Sequence, residues 1–155
     1  MPTVEHWLLL TLLGIIVALA LILTTKALRK LNIRRQKRIL DISGVDTMDG
    51  LVFERYVVKL LKKRGFSAIK MTERYDYGVD IIAYKNGVVW GIQVKRYKGL
   101  VKAEAVRQVV TGLKKYRCDR AMVITNSSFS RVARDLATSN DCILIDRSAL
   151  SGWIG

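Results

Sequence analysis

The chain has 155 residues, half of them hydrophobic, and a formal net charge of +14. That length is typical of one ordinary domain and argues against a multidomain enzyme, while one proline and 11 glycines exclude collagen-like chains. Two cysteines and a single histidine exclude a disulfide scaffold and a Cys/His zinc site. High apolarity together with high charge indicates that the apolar and the charged residues lie in separate segments of the chain.

The N-terminal part contains an apolar run over residues 7–25, WLLLTLLGIIVALALILTT, with no ionisable side chain. As a helix this run would be about 28 Å long, close to the thickness of a bilayer's hydrocarbon core. A buried core helix is the alternative, but such helices rarely extend this far without a polar face. The run therefore predicts a transmembrane helix within residues 1–25, with membrane contact through residues 7–25.

The charges that flank this run predict its orientation. Only Glu5 and His6 precede it, whereas seven basic residues follow: Lys26, Arg29, Lys30, Arg34, Arg35, Lys37 and Arg38. Because basic flanks stay on the cytoplasmic side, we expect a single-pass protein of the inner (cytoplasmic) membrane with its C-terminal domain in the cytoplasm. A cleaved signal peptide is the alternative, since residues 18–20 faintly resemble a cleavage site, but its positive charge would precede the run.

Two further segments follow the apolar run. Residues 26–44 predict a basic juxtamembrane linker that contacts anionic lipid headgroups, with a DNA-binding arm as the alternative. Residues 45–155 form one domain with 20 basic and 11 acidic side chains, a net charge of +9. Such a surface indicates an anionic partner, and nucleic acid is the first candidate, although the charge could also serve solubility or membrane contact.

This domain begins with a predicted helix and a predicted hairpin. The helix starts from Asp46 or Thr47 as the cap, carries apolar residues at helical spacing, and stops at Gly65. Strands are predicted over 66–71, 79–84 and 88–95. The last two are joined through Asn86-Gly87, which is the strongest short hairpin signal.

The second half alternates helices and strands. A helix is predicted over 102–116, a buried strand over 121–125, a helix capped by Ser127 or Ser128 that ends near residue 138, a strand over 142–145, and a short helix after it. The order α-β-β-β-α-β-α-β predicts an α/β fold in which a mixed sheet is flanked by helices, preceded by the transmembrane helix.

The hairpin places three polar groups together. If Asn86-Gly87 is a two-residue turn, paired positions sum to 173, and Asp80 lies opposite Gln93. Lys95 shares the face of Gln93 because side chains alternate along a strand. A three-residue turn would shift the register by one residue and break the pairing.

A carboxylate, an amide and an ammonium at one end of a hairpin suit phosphodiester hydrolysis. Asp80 can bind a hard divalent cation, and Gln93 can contribute its side-chain carbonyl oxygen. Lys95 can position or deprotonate the attacking water. Glu54 could reach the metal if the first helix packs beside the hairpin. Each residue alone has a simpler interpretation, namely a turn residue, solvent-facing strand residues and an exposed helix carboxylate, but their joint spacing favours a site.

At these positions the sequence resembles the catalytic domain of Mrr-like restriction endonucleases, of the PD-(D/E)xK nuclease superfamily. The resemblance lies in Phe53-Glu54, in residues 78–83 (GVDIIA), in residues 93–97 (QVKRY), in residues 123–130 (VITNSSFS) and in residues 144–146 (LID). It covers about Val45 to Leu150. An ordered set of this kind, with each member on its expected element, is far more specific than a lone GxD or QxK.

The resemblance implies a restriction-endonuclease-like fold and a type IV, Mg²⁺- or Mn²⁺-dependent endonuclease that acts on DNA. By position, Asp80 and Gln93 would be metal-site residues, Lys95 the catalytic lysine, and Glu54 an accessory carboxylate at the metal. Gln93 stands where the superfamily usually has a carboxylate, a substitution typical of the Mrr branch. The loop over residues 74–78 also departs from the usual glycine-rich acidic form, which bears on substrate preference.

DNA contacts are expected from a basic rim made of Arg96, Lys98, Lys102 and Arg107. Such contacts set affinity and salt dependence rather than sequence specificity. Tyr75, Tyr77 and Tyr97 could stack on bases, although aromatic residues near a strand end more often pack. A homodimer is a further expectation, because cutting two strands needs two sites.

Three functions compete at this point. The first is a membrane-anchored DNA endonuclease, used in restriction or defence against incoming DNA. The second is a catalytically silent module that tethers DNA to the membrane. The third is a structural membrane protein that retains the fold without the activity. Metal-dependent cleavage would support the first function, and metal-independent retention of DNA without cleavage would support the second. The absence of salt-sensitive DNA binding would support the third.

Overall fold

The structure is a computed structural model that describes residues 4–39, 42–72 and 77–154. Contacts divide the chain between residues 39 and 40 into two compact units. The first unit is the helix α1 (Val4–Ile39), whose side chains are described for residues 13–30. The second unit holds all the strands and the remaining helices of the described chain.

The helix α1 contradicts the predicted location in the inner membrane. It continues past Thr25 into the basic segment, where Lys26, Arg29 and Lys30 follow the apolar run. Within the described ranges, no helix combines the length and the apolar character needed to cross a membrane. The prediction of a single-pass membrane protein is therefore wrong.

The second unit follows the predicted order of elements, with a short helix added at its start. Its helices are α2 (Ile42–Val45), α3 (Gly50–Lys63), α4 (Ala103–Tyr116), α5 (Arg131–Ser139) and α6 (Arg147–Ile154). Its strands are β1 (Ser67–Met71), β2 (Ile81–Lys85), β3 (Val88–Lys95), β4 (Arg120–Thr125) and β5 (Ile143–Ile145). The result is a mixed α/β fold with a five-stranded sheet flanked by helices, as predicted.

The sheet has the order β1-β2-β3-β4-β5. The first three strands are antiparallel neighbours, and β3, β4 and β5 are parallel. The β2–β3 hairpin turns through Asn86 and Gly87, which both have positive φ angles of 52° and 80°. Two successive positive φ angles are typical of the type I′ turn, which matches the twist of a hairpin. Lys85 pairs with Val88, so the predicted two-residue register is confirmed.

Two apolar cores lie on opposite faces of this sheet. One contains α3 and α6 side chains packed against Ile81, Ile92 and Val94. The other contains α4 and α5 side chains packed against Val79 and Val123. The alternation of side chains along β3 therefore sends Ile92 and Val94 toward α3 and leaves Gln93 and Lys95 on the α4 side.

Two helix caps differ from the sequence prediction. The side chain of Asp49, rather than Asp46 or Thr47, accepts a hydrogen bond from the Val52 amide at 2.8 Å and begins α3. Ser130, rather than Ser127 or Ser128, caps α5 through the Ala133 amide. In both cases several residues with a high N-cap propensity precede the helix, so this propensity alone does not identify the residue that caps it.

The loop before β2 lies directly on α4. Gly78 has a φ of 84°, and a Cβ built on it would lie 2.5 Å from the backbone carbon of Gln108. A Cβ on Gly112, one turn further along α4, would overlap the carbonyl oxygen of Tyr77 and lie 3.0 Å from a methyl of Val79. Both glycines are needed because any side chain would separate the loop from the helix.

We expect Gly112→Ala to destabilise the protein by about 1–3 kcal/mol, because the added methyl overlaps backbone that cannot move away cheaply. The measurement is urea unfolding of the full chain followed by circular dichroism. Gly152→Ala is the matched control, since Gly152 also lies in a helix but has open space around its Cβ position. Alanine there should be neutral or stabilising by about 0.5–1 kcal/mol. Equal midpoints for the two variants would contradict the predicted overlap.

Candidate active site

The carboxylate of Asp80 is held at the start of the hairpin by hydrogen bonds from β3. Its Oδ2 accepts one from the Val94 amide at 2.5 Å and one from Gln93 Nε2 at 3.1 Å. Its backbone amide donates to the Ile92 carbonyl at 2.9 Å, and its backbone carbonyl accepts from the Thr72 amide at 3.0 Å. The hairpin register therefore fixes both the backbone and the side chain of Asp80.

The side chain of Gln93 is almost fully buried, with 3% of its surface exposed. Its amide nitrogen donates to Asp80, while its Oε1 is buried and accepts no hydrogen bond from any described residue. The interpretation of Gln93 as a solvent-facing strand residue is therefore wrong. A buried carbonyl oxygen without a donor carries a free-energy cost and is normally satisfied by a water or an ion.

Asp80, Gln93 and Lys95 line one cavity of about 520 Å³ between the hairpin and α4. The remaining lining residues are Tyr77, Gly78, Glu104, Arg107, Gln108 and Thr111. The structure thus brings together the carboxylate, the amide and the ammonium that the hairpin register predicted. A molecule in this cavity would meet all three groups at once.

The helix α4 contributes a polar stripe that the sequence analysis did not assign to the site, apart from Arg107 as a DNA contact. Glu104, Arg107, Gln108 and Thr111 follow the i, i+3, i+4, i+7 spacing of one helix face, opposite the buried apolar face of α4. The sequence shows this spacing, which is the signal from which a polar face on α4 could be predicted. That the face belongs to the site follows only once α4 is known to pack beside β3.

Glu54 is not among the residues that line this cavity. It lies half-buried on α3, whose neighbours Phe53 and Val57 pack into the core on the other face of the sheet. The carboxylate that faces the cavity from a helix is instead Glu104, whose Oε2 accepts a hydrogen bond from Arg107 Nε at 3.2 Å. The accessory role of Glu54 stays a prediction.

The four basic residues predicted to contact DNA occupy different places. Arg107 lines the cavity with Asp80, and Lys102 lines a smaller cavity next to it. Lys98 is exposed and lines neither cavity. Arg96 points away from both, and its Nη2 donates to the carbonyl of Asp46 at 2.7 Å. Two of the four thus lie beside the candidate site. Residues 73–76, which include Tyr75, lie outside the described chain.

A hydrogen-bonded network ties together the segment beyond Lys95 and the ends of its neighbours. Asn126, which follows β4 and is 4% exposed, accepts from the Tyr97 amide at 2.7 Å and donates to Asp46 at 2.8 Å. Arg147, at the start of α6, donates through two nitrogens to both carboxylate oxygens of Asp46 at 2.8 Å. The segment after Lys95 is therefore anchored to both neighbouring chain segments.

The Arg147 guanidinium, with help from Asn126 and the charge of Arg96, lowers the pKa of Asp46 below its usual value. A carboxyl group whose pKa is lowered on folding stabilises the folded state above its unfolded pKa, and this stabilisation disappears as the pH falls through the folded value. Asp46 is partly exposed, so the solvent screens the pair and limits its contribution to stability.

We therefore expect Asp46→Asn to lower the free energy of unfolding at pH 7, where the wild-type carboxylate is ionised. The difference between wild type and variant should shrink as the pH falls below about 4, because the wild-type carboxyl group then becomes protonated too. Denaturant unfolding between pH 3 and pH 7 measures this. Asp119→Asn, which also removes an exposed hydrogen-bonded carboxylate, tests whether the effect is specific. A difference that grows toward low pH would contradict the assignment.

The donors at the cavity suit a hard divalent cation. No group of three or more His, Cys, Asp or Glu side chains forms a metal cluster within the described residues. The unsatisfied Oε1 of Gln93 and the carboxylate of Asp80 are nevertheless oxygen donors on neighbouring side chains. Mg²⁺ accepts oxygen ligands and keeps several waters, so two protein donors agree with its usual coordination.

Comparisons with known proteins agree with this geometry. A family model described as a restriction endonuclease, the Mrr catalytic family, matches residues 45–154. A crossover junction endodeoxyribonuclease, Hjc, of Sulfurisphaera tokodaii is 34% identical over 71 residues, which are 43% of this chain and 49% of that protein. The chain thus spans about half the length of this curated relative.

Two solved structures share the fold. The DNA modification-dependent restriction endonuclease AspBHI superimposes with a TM-score of 0.57 at 16% identity, over 77% of this chain and 35% of that one. A protein of unknown function, AF1548, superimposes with a TM-score of 0.53 at 20% identity, over 61% of this chain and 56% of that one. At these identities the likeness concerns the fold.

Proposed function

Since the chain belongs to the Mrr catalytic family of restriction endonucleases, we propose that it hydrolyses phosphodiester bonds of DNA with the aid of Mg²⁺ or Mn²⁺. The observation that carries this proposal is the pairing of Asp80 with the buried amide of Gln93. The amide nitrogen holds the carboxylate, and the amide oxygen is left beside it without a donor. Asp80 and Gln93 both line a cavity that Lys95 also lines.

In the proposed site, Asp80 and Gln93 hold the cation through a carboxylate and a carbonyl oxygen. When bound, the cation would polarise the phosphoryl group and lower the pKa of water near it. Lys95 orients the attacking water and stabilises negative charge on the phosphate. The hydrogen bonds from Val94 and Gln93 keep Asp80 fixed, so the site needs little rearrangement to receive its substrate.

DNA would approach the side of the sheet that bears α4. Arg107 and Lys102 lie on and just before that helix and line the two neighbouring cavities. A net charge of +9 over residues 45–155 attracts the polyanion. A site of this kind cuts one strand, so we expect two copies of the chain to act together on duplex DNA.

Restriction of modified or incoming DNA is the role we propose, as for other restriction endonucleases. Hjc is named for cleavage of crossover junctions, so branched DNA belongs among the substrates to be tested. The rates at which the full chain cleaves methylated plasmid, unmethylated plasmid and a four-way junction would rank these substrate classes.

The proposal predicts that the purified full chain cuts DNA in Mg²⁺ and not in chelator. Lys95→Ala should lower the turnover rate about 100- to 1,000-fold, because it removes the group that orients the water and stabilises the charge on the phosphate. Asp80→Asn should also abolish cleavage, since the amide cannot supply the charge that binds the cation. Gel-based cleavage under single-turnover conditions measures both variants.

Lys70→Ala is the matched control, because Lys70 is an exposed lysine on β1 that lines neither cavity. It should cut as fast as the wild type. Full activity in both Asp80→Asn and Lys95→Ala would defeat the proposal. Salt-sensitive binding to DNA without cleavage in any divalent metal would instead identify a DNA-binding module.

The position of Lys102 and Arg107 predicts the salt dependence of DNA binding. Each lost phosphate contact should reduce the slope of log affinity against log salt by about 1. We therefore expect Lys102→Ala and Arg107→Ala to weaken binding in chelator at low salt and to flatten this slope, as measured by fluorescence anisotropy. Lys70→Ala should leave the slope unchanged. Unchanged slopes in both test variants would show that DNA does not contact this side of the sheet.

A further inference from the structure

A second, smaller cavity of about 240 Å³ adjoins the candidate active site. It shares Lys95, Glu104 and Gln108 with the larger cavity, so the two are contiguous. Its other lining residues are Tyr97, Leu100, Val101, Lys102 and Ala105. These five residues have no role in the hydrolysis proposed above. Lys102 alone among them belongs to the proposed DNA contacts.

The walls of this smaller cavity combine an aromatic ring with aliphatic groups. Tyr97 and Leu100, three positions apart in the sequence, are large side chains that remain 55% and 56% exposed. Val101 and Ala105 are buried and form an apolar floor. Polar groups of Gln108, Lys102 and Glu104 lie at the edge. An apolar surface with a polar edge matches the flat faces and polar edges of a nucleobase.

The backbone of Tyr97 is held by a hydrogen bond. Its amide donates to the buried Asn126 side chain at 2.7 Å. A Cβ built on Gly99 would lie 3.4 Å from the Tyr97 ring, so the backbone of Gly99 lies near the ring. A backbone position that is fixed before binding reduces the conformational entropy that is lost when a ligand stacks on the side chain.

We propose that this smaller cavity binds one unstacked DNA base next to the phosphate that is cut. The inference rests on the proposed function, because it takes the cleaved phosphate to lie by Asp80 and Lys95. The neighbouring nucleotide would then reach the ring of Tyr97. The cavity is smaller than the roughly 300–1,000 Å³ pockets that hold drug-sized ligands, which suits a single base.

A paired base inside a duplex cannot enter such a cavity without leaving its stack. Removing a base from the stack costs least where the base is mismatched or unpaired. The cavity therefore favours DNA that carries an unpaired base at the cleavage position over fully paired DNA of the same sequence. This preference depends on local pairing, and it needs no recognition of a sequence by base edges.

Binding can be tested without cleavage. Fluorescence anisotropy in chelator compares the full chain on a fully paired duplex and on the same duplex with one bulged adenine. We expect about tenfold tighter binding to the bulged duplex, in line with the stacking of one base on an aromatic side chain. Tyr97→Leu and Leu100→Ser should each reduce this ratio toward one, while Tyr97→Phe should retain it because the ring remains.

Tyr84→Leu is the matched control, since Tyr84 is an exposed tyrosine on β2 that lines neither cavity. It should keep the wild-type ratio. Leu100→Ser keeps the test valid if Tyr97→Leu fails to fold, because Leu100 is exposed. A wild-type ratio of one, or a ratio that all these variants leave unchanged, would overturn the base-binding proposal.

The two proposals fail in different ways. Equal binding of paired and bulged duplex together with Mg²⁺-dependent cleavage would refute the base site and leave the nuclease function standing. Preference for the bulged duplex that depends on Tyr97, without cleavage in any divalent metal, would support the base site and refute the nuclease function.

Discussion

The structure depends on the pairing of Asp80 with the β3 strand. Asp80 Oδ2 accepts hydrogen bonds from the Val94 amide and the Gln93 side chain, and this is possible only in the register set by the two-residue turn at Asn86-Gly87. A shift of one residue would send Gln93 into the core and Val94 into the cavity. The turn therefore determines whether Asp80, Gln93 and Lys95 lie together, although Asp80 is six residues away from it.

Two further constraints hold this hairpin between its neighbours. On one side, Gly78 and Gly112 let the loop before Asp80 lie directly against α4, so this helix forms one wall of the cavity. Beyond Lys95, the buried Asn126 joins the Tyr97 amide to Asp46, and Arg147 completes that network. These contacts restrain both ends of the site, and groups whose positions are restrained before binding are the ones that can act on a substrate without reorganisation.

Much of the fold followed from the sequence because its signals are local. Asn86-Gly87 and the alternation along β3 predicted the register and the meeting of Asp80, Gln93 and Lys95. The α4 contribution did not follow, since the polar stripe of Glu104 and Gln108 has meaning only once α4 is packed beside the hairpin. The Asp46–Arg147 pair joins residues 101 positions apart, and no periodicity reports such a contact. The membrane prediction is wrong, because no helix within the described ranges combines the length and the apolar character that a crossing needs.

The amide at position 93 has a physical consequence for the proposed chemistry. A second carboxylate beside Asp80 in this buried position would add a like charge that raises the cost of ionising both groups. The neutral amide avoids this repulsion and donates a hydrogen bond that fixes Asp80, while its oxygen remains available. The site consequently has less negative charge with which to bind a cation, and more of the charge balance falls to Lys95, Arg107 and the phosphate itself. Binding of DNA and of a cation would therefore reinforce each other here, since the phosphate supplies the oxygen charge that the amide does not.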